Sequence, residues 1–233
     1  MQQSFILQRI YVIIASKVSF FSTLTMFHHK DLEGITFLIT FARPIKNTPR
    51  RAYYNKSKMT TIEIPQPNGR LKSIIRAVPI TRLVLFQYKQ QKGMTEEWKT
   101  WAWEMLDKGF KSDALTQLAG EDLNLNAFEF SSLVDSILKD LELDFTDDDV
   151  YFQYVLYVAH QVLNRELSSE EGFKTLCQAA IDMNYHPAFM DFYYLEDNAE
   201  LLRHHHPAVI ETGMRPDNIS EWTFSYFEKL IKE

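Results

Sequence analysis

The chain has 233 residues, 45% hydrophobic and 24% charged, with only 7 Gly and 8 Pro, which excludes a low-complexity chain and allows a sizeable core. Its net charge of −6 conceals a division: residues 1–93 carry 15 Lys and Arg against 3 Asp and Glu, whereas residues 94–233 carry 10 against 28. A single cysteine, Cys177, excludes an intramolecular disulfide and a zinc site built on several thiolates, and it fits a reducing, cytoplasmic setting.

The run from Ile10 to Phe27 is apolar, but Lys17 stands near its middle among Ser16, Ser19, Ser22, Thr23 and Thr25. A central Lys costs ~2.5–3.5 kcal/mol on insertion, and about 20 strongly apolar residues are needed to span. No membrane span is therefore expected. The Tyr11–Ala15 run is short for a secretory signal, and no clear small-residue cleavage site follows it. A transit-peptide reading draws on the absence of acids from the first thirty residues, against which Arg is sparse and Asp31 and Glu33 follow at once. Residues 1–58 show no clean period and end in Arg50, Arg51, Lys56 and Lys58. They read as a basic, poorly structured extension, or as translation from a start codon ahead of the native one. Residues 59–93 read as a short β-hairpin or a linker. Thr61–Ile64 and Ile74–Val78 would be its strands around the turn-rich Pro65–Gly69, with Val84–Tyr88 as a further strand.

From Met94 the chain is punctuated as helices. Thr95 precedes Glu96 and Glu97, Trp98, Trp101, Ala102 and Met105 follow at helical spacing, and Gly109 supplies a stop. Ser112 opens a short helix closed by Gly120. Asn126 with Glu129, Thr146 with Asp149, Ser168 with Glu171 and Asn218 with Glu221 have capping-box spacing, and Pro187 fits a helical first turn. The expected fold is all-α, a compact bundle or stacked helical hairpins of six to seven helices over 94–233. A chain beginning at Met94 is expected to fold by itself.

The segments Trp101–Gly120 (WAWEMLDKGFKSDALTQLAG), Phe189–Asn198 (FMDFYYLEDN) and Pro216–Ile219 (PDNI) resemble parts of a family of small uncharacterised all-helical bacterial proteins. The resemblance covers residues 95–233. It implies a helical domain there and carries over no activity and no site residue.

Several residues invite chemistry. His204, His205 and His206 lie in the fifteen-residue segment from Arg203 to Asp217, where Glu200 or Glu211 could complete a metal site; consecutive imidazoles rarely converge on one ion, and a polar loop is favoured. Asp144, Asp147, Asp148 and Asp149 lack the Gly and terminal Glu of a calcium loop and read as an acidic helix start. Gln153, Tyr157, His160 and Asn164 form one polar stripe, read as the wet side of a helix in preference to a pocket with His160 as base. Cys177 reads as an inert thiol, and the aromatic segment Tyr185–Tyr194, with His186, reads as core in preference to a ligand pocket. No metal and no cofactor is expected.

The charge of residues 94–233 disfavours nucleic acid and suits a basic protein partner. The expected function is a non-enzymatic interaction domain of the inhibitor or immunity kind. Its expected contact patch is Asp140, Glu142, Asp144, Asp147, Asp148 and Asp149. The alternative is a metal-dependent or His-based enzyme using His160, His186 or His204–His206.

Overall fold

A computed structural model describes residues 64–210 and 212–232, which form nine α-helices and no strand. The extension over 1–58, the apolar run from Ile10 to Phe27 and residues 61–63 of the expected first strand lie outside the described residues. No helix of the described residues is long and apolar enough to cross a membrane.

The expected strands Ile74–Val78 and Val84–Tyr88 are corrected by the structure. They belong to two helices, α1 (Gly69–Ala77) and α2 (Thr81–Lys89). Apolar runs of four or five residues do not distinguish strand from helix by themselves. The wider spacing does: Leu71, Ile74, Ile75 and Val78 stand at i, i+3, i+4 and i+7, and all four are buried. Asn68 caps α1, its Oδ1 accepting from Leu71 N at 2.9 Å, and Pro79 follows the last turn.

From Met94 onward the seven expected helices are present: α3 (Glu96–Asp107), α4 (Asp113–Gly120), α5 (Ala127–Asp140), α6 (Asp147–Leu163), α7 (Ser169–Asp182), α8 (Pro187–Arg203) and α9 (Ile219–Lys232). Thr146 with Asp149 and Ser168 with Glu171 make reciprocal capping boxes. Thr95 holds the N-cap position of α3, but its hydroxyl donates to Gln87 Oε1 of α2 instead of capping. Asn218 likewise turns backward, accepting from Arg215 N and donating to Gly213 O. Helix ends depend little on glycine. Gly109 has φ 82°, yet α2, α5, α6, α7 and α8 end through positive φ at Gln91, Glu142, Arg165, Asn184 and His205. After each, an amide reaches back five residues, as Leu143 N does to Leu138 O at 2.9 Å.

The helices enclose two main cores. One gathers Trp98, Trp101, Met105, Leu115, Leu118, Phe130, Val134 and Ile137 from α3, α4 and α5. The other gathers Tyr154, Val158, Phe173, Leu176, Phe189, Phe192 and Phe227 from α6 to α9. Helices α1 and α2 contribute to both: Ile74, Val78 and Val84 enter the first, and Leu71, Ile75, Leu85 and Phe86 enter the second. Thr81 is fully buried, donates to Val78 O and accepts from Trp101 Nε1 at 2.9 Å. Phe86 stacks on Tyr154 with centroids 3.7 Å apart. The expected division at Met94 is thereby corrected, because α1 and α2 complete the same cores as the helices that follow. Of the aromatic segment, Phe189 and Phe192 are fully buried core, whereas Tyr185 is 48% exposed.

Two outcomes follow from this packing. A chain starting at Met59 retains α1 and α2 and should unfold cooperatively on heating, whereas one starting at Met94 exposes both cores along one side and should be molten or insoluble. A sharp melt of the shorter chain would contradict the shared-core description. Gly172 of α7 supplies the second outcome. Ala is favoured over Gly in a helix by about 1 kcal/mol, but a Cβ there would stand 2.7 Å from Val162 Cγ2 and 3.0 Å from Phe227 Cζ. Overpacking of this kind costs about 1–3 kcal/mol, so Gly172→Ala should lower the melting temperature; a raised one would show that α6 and α9 can yield.

Candidate functional site

The acids expected to form a contact patch do lie at one junction, where α5 ends and α6 begins, but most have work inside the fold. Asp140 accepts from Ser112 Oγ at 2.6 Å. Asp147 pairs with Lys89 Nζ at 2.5 Å, and the same ammonium lies 5.5 Å from the Phe145 ring centre. Asp148 pairs with His186 Nε2 at 3.0 Å, and Asp149 accepts from Thr146 N and Oγ1. Asn68 donates to Asp144 O and Arg70 Nε to Leu141 O, closing the start of α1 onto this junction. Among the described residues, only the Glu142 and Asp144 side chains of the six make no hydrogen bond or ion pair. Both residues are exposed.

The five histidines among the described residues do not converge. His186 is the N-cap of α8: Nδ1 accepts from Ala188 N, which leaves Nε2 to carry the proton toward Asp148. Its ring meets Tyr151 edge-on at 4.5 Å. His204, His205 and His206 form the end of α8. His204 Nε2 lies 3.0 Å from Glu200, His205 takes the positive φ, and His206 N donates to Leu201 O. No group of three or more His, Cys, Asp or Glu among the described residues is placed to hold a metal ion. His160 projects from α6 into solvent; partial burial and the charge of Arg82 hold its imidazole below the ordinary histidine range. Cys177 is half-buried, and burial, with the charges of Glu196 and Asp197, pushes its thiol up to about 11, far from a reactive thiolate.

The long segment before α9 is tied down. Asn198, 1% exposed, accepts from Val209 N and Ile210 N, and Trp222 Nε1 donates to Thr212 O at 2.9 Å. The quoted motifs FMDFYYLEDN and PDNI thus supply the residues that shape this loop, Asn198 and Asn218. Beside it, Arg203 of α8 binds Glu170, Glu196 and Glu200 at 2.9, 2.9 and 3.0 Å. Ser220 donates to Glu170, so the first turns of α7 and α9 and the last turn of α8 form one polar belt. Glu196 is buried and its Oε2 has no partner; burial raises its carboxyl above the ordinary range despite the opposing pull of Arg203.

Three surface grooves of about 360, 450 and 520 Å³ lie along α9, between α2 and α5, and between the α6–α7 turn and α9. None of the three is lined by a histidine or by Cys177. Lys89, Arg82 and Arg203 are not legible as site residues in the sequence, because Asp147, Gln153 and Glu170, which they bind, lie far along the chain. The helical spacing of α1 and α2 was the available signal for the first two. Comparison with protein-family models, curated proteins and solved structures found no match.

The polar belt makes a pH prediction. A carboxyl raised on folding stabilises the fold at low pH, and that contribution is lost as pH climbs from the ordinary carboxylate range through the raised value. Glu170 is lowered by its Ser220 hydrogen bond and by Arg203, and so acts in the opposite sense at lower pH. Glu196→Gln should therefore melt close to the wild type near pH 4 and above it at pH 7. A variant melting lower at pH 7 would show that the ionised Glu196–Arg203 pair stabilises the fold.

Proposed function

We propose that the helical domain is a non-enzymatic, cytoplasmic protein-interaction module of the inhibitor or immunity kind, binding a basic protein partner. The observation that carries this reading is the acid excess left after the internal pairs are formed. Residues 64–233 hold 28 Asp and Glu against 16 Lys and Arg, a net −12 with the basic helices α1 and α2 included. Glu142 and Asp144 supply exposed carboxylates with no hydrogen bond or ion pair among the described residues. Trp103 and Phe128 add exposed aromatic surface, at 60% and 84%, each followed directly by a glutamate. Aromatic anchors with charged surroundings are common at protein interfaces. His186 and His204–His206 are engaged in helix ends and do not converge with one another. Asp147, Asp148 and Asp149 serve folding as much as recognition, which moves the test to their neighbours.

The partner recovered on the full chain should be basic, and its association rate should fall steeply with ionic strength, since screening at 0.15 M acts over about 8 Å. Glu142→Lys with Asp144→Lys should slow association several-fold and leave the melting temperature nearly unchanged. An acidic partner, or association indifferent to both salt and these reversals, would contradict the proposal.

A further inference from the structure

Lys89 and Arg203, both partly buried, stand against carboxylates, the first against Asp147 and the second against three glutamates. Arg82 of α2 does not. It is half-buried, and Nε donates to Gln153 Oε1 at 3.1 Å. Gln153 is neutral and only 4% exposed. No ion pair to Arg82 forms among the described residues, in a domain where acids far outnumber bases. Withdrawing a cation from water without a counter-charge is costly, and here burial lowers the affinity of the guanidinium for its proton.

The geometry around Arg82 is fixed by the helices. α2 runs antiparallel to α6, with Lys89 meeting Asp147 at one end and Arg82 meeting Gln153 further along. Gln153 occupies Nε, and the two terminal amino groups of the fork make no hydrogen bond or ion pair among the described residues. Tyr157 Oη accepts from Gln161 Nε2 at 3.2 Å, which leaves its own proton available to donate. Glu97 and Glu166 act electrostatically on Tyr157, and neither pairs with Arg82. The polar stripe of the sequence is therefore not uniformly wet: Gln153 is buried to hold an arginine, and His160 is exposed within reach of that arginine's field.

We propose that Arg82, held side-on by Gln153 on the same helix stripe as His160, is a receiving site for a carboxylate ligand taken in two-pronged fashion by the guanidinium. A planar carboxylate matches the free edge of the fork. Because Gln153 already fixes the side chain, little rotamer freedom remains to be lost on binding. The site is separate from the acidic surface proposed above, and its ligand has the opposite charge.

His160 is the reporter. In the full chain, its imidazole resonance would be followed by NMR while acetate replaces chloride at constant ionic strength. A saturable acetate-dependent shift is expected, with the His160 titration midpoint rising as the bound carboxylate offsets the charge of Arg82. Arg82→Gln should raise the midpoint in chloride and abolish the acetate response. Arg82→Lys keeps the charge and loses the fork, so the midpoint should stay low while the acetate response weakens several-fold. Identical titrations in chloride and acetate, or a wild-type response in Arg82→Lys, would overturn the proposal.

Discussion

Helix α2 is the constraint on which the rest of the domain depends. A nine-residue helix has little stability alone, and this one is held because it is buried on several sides. Val84 faces the core of α3–α5, while Leu85 and Phe86 face the core of α6–α9. Its polar groups lock the same neighbours: Thr81 receives the Trp101 indole, Gln87 receives the Thr95 hydroxyl, and Arg82 holds Gln153. A helix of this kind sets the spacing between two helical groups, and the chemistry on its outer side follows from that placement.

The charge division along the chain acquires a physical meaning from the same helix. Residues 64–93 contain six Lys and Arg and no acid, and they precede a segment with 28 acids. Part of that contrast is spent inside the fold, where Lys89 meets Asp147 and Arg70 meets the Leu141 carbonyl at the α5–α6 junction. What remains at the junction is Glu142 and Asp144. The reading of the acidic face as a partner surface thus narrows from six residues to two, and the other four keep helices and their joints in place. Arg82 is the complement of this pattern, a cation from the basic helices with no acid paired to it among the described residues.

The local grammar of the chain was readable because caps act over three or four residues. Thr146 with Asp149 and Ser168 with Glu171 need no tertiary information, and both boxes form. The apolar runs of α1 and α2 are too short to distinguish helix from strand, and the change in charge at Met94 falls inside cores that both sides share. Charge composition reports partners and solubility; it does not mark where a core ends. Long-range ties lie further from the sequence still. Nothing local joins Arg203 to Glu170, thirty-three positions away, or Asn198 to the backbone of Val209. The work of the histidine triplet as a helix end depends on backbone angles that composition does not encode.

The most direct test is amide hydrogen exchange on the full chain carrying Val84→Ala. Val84 is fully buried and packs in the α3–α5 core alone. If α2 joins the two cores into one cooperative unit, the most protected amides of α6–α9 should lose protection by the same factor as those of α3–α5. Loss confined to α3–α5, with α6–α9 exchanging as in the wild type, would contradict the account.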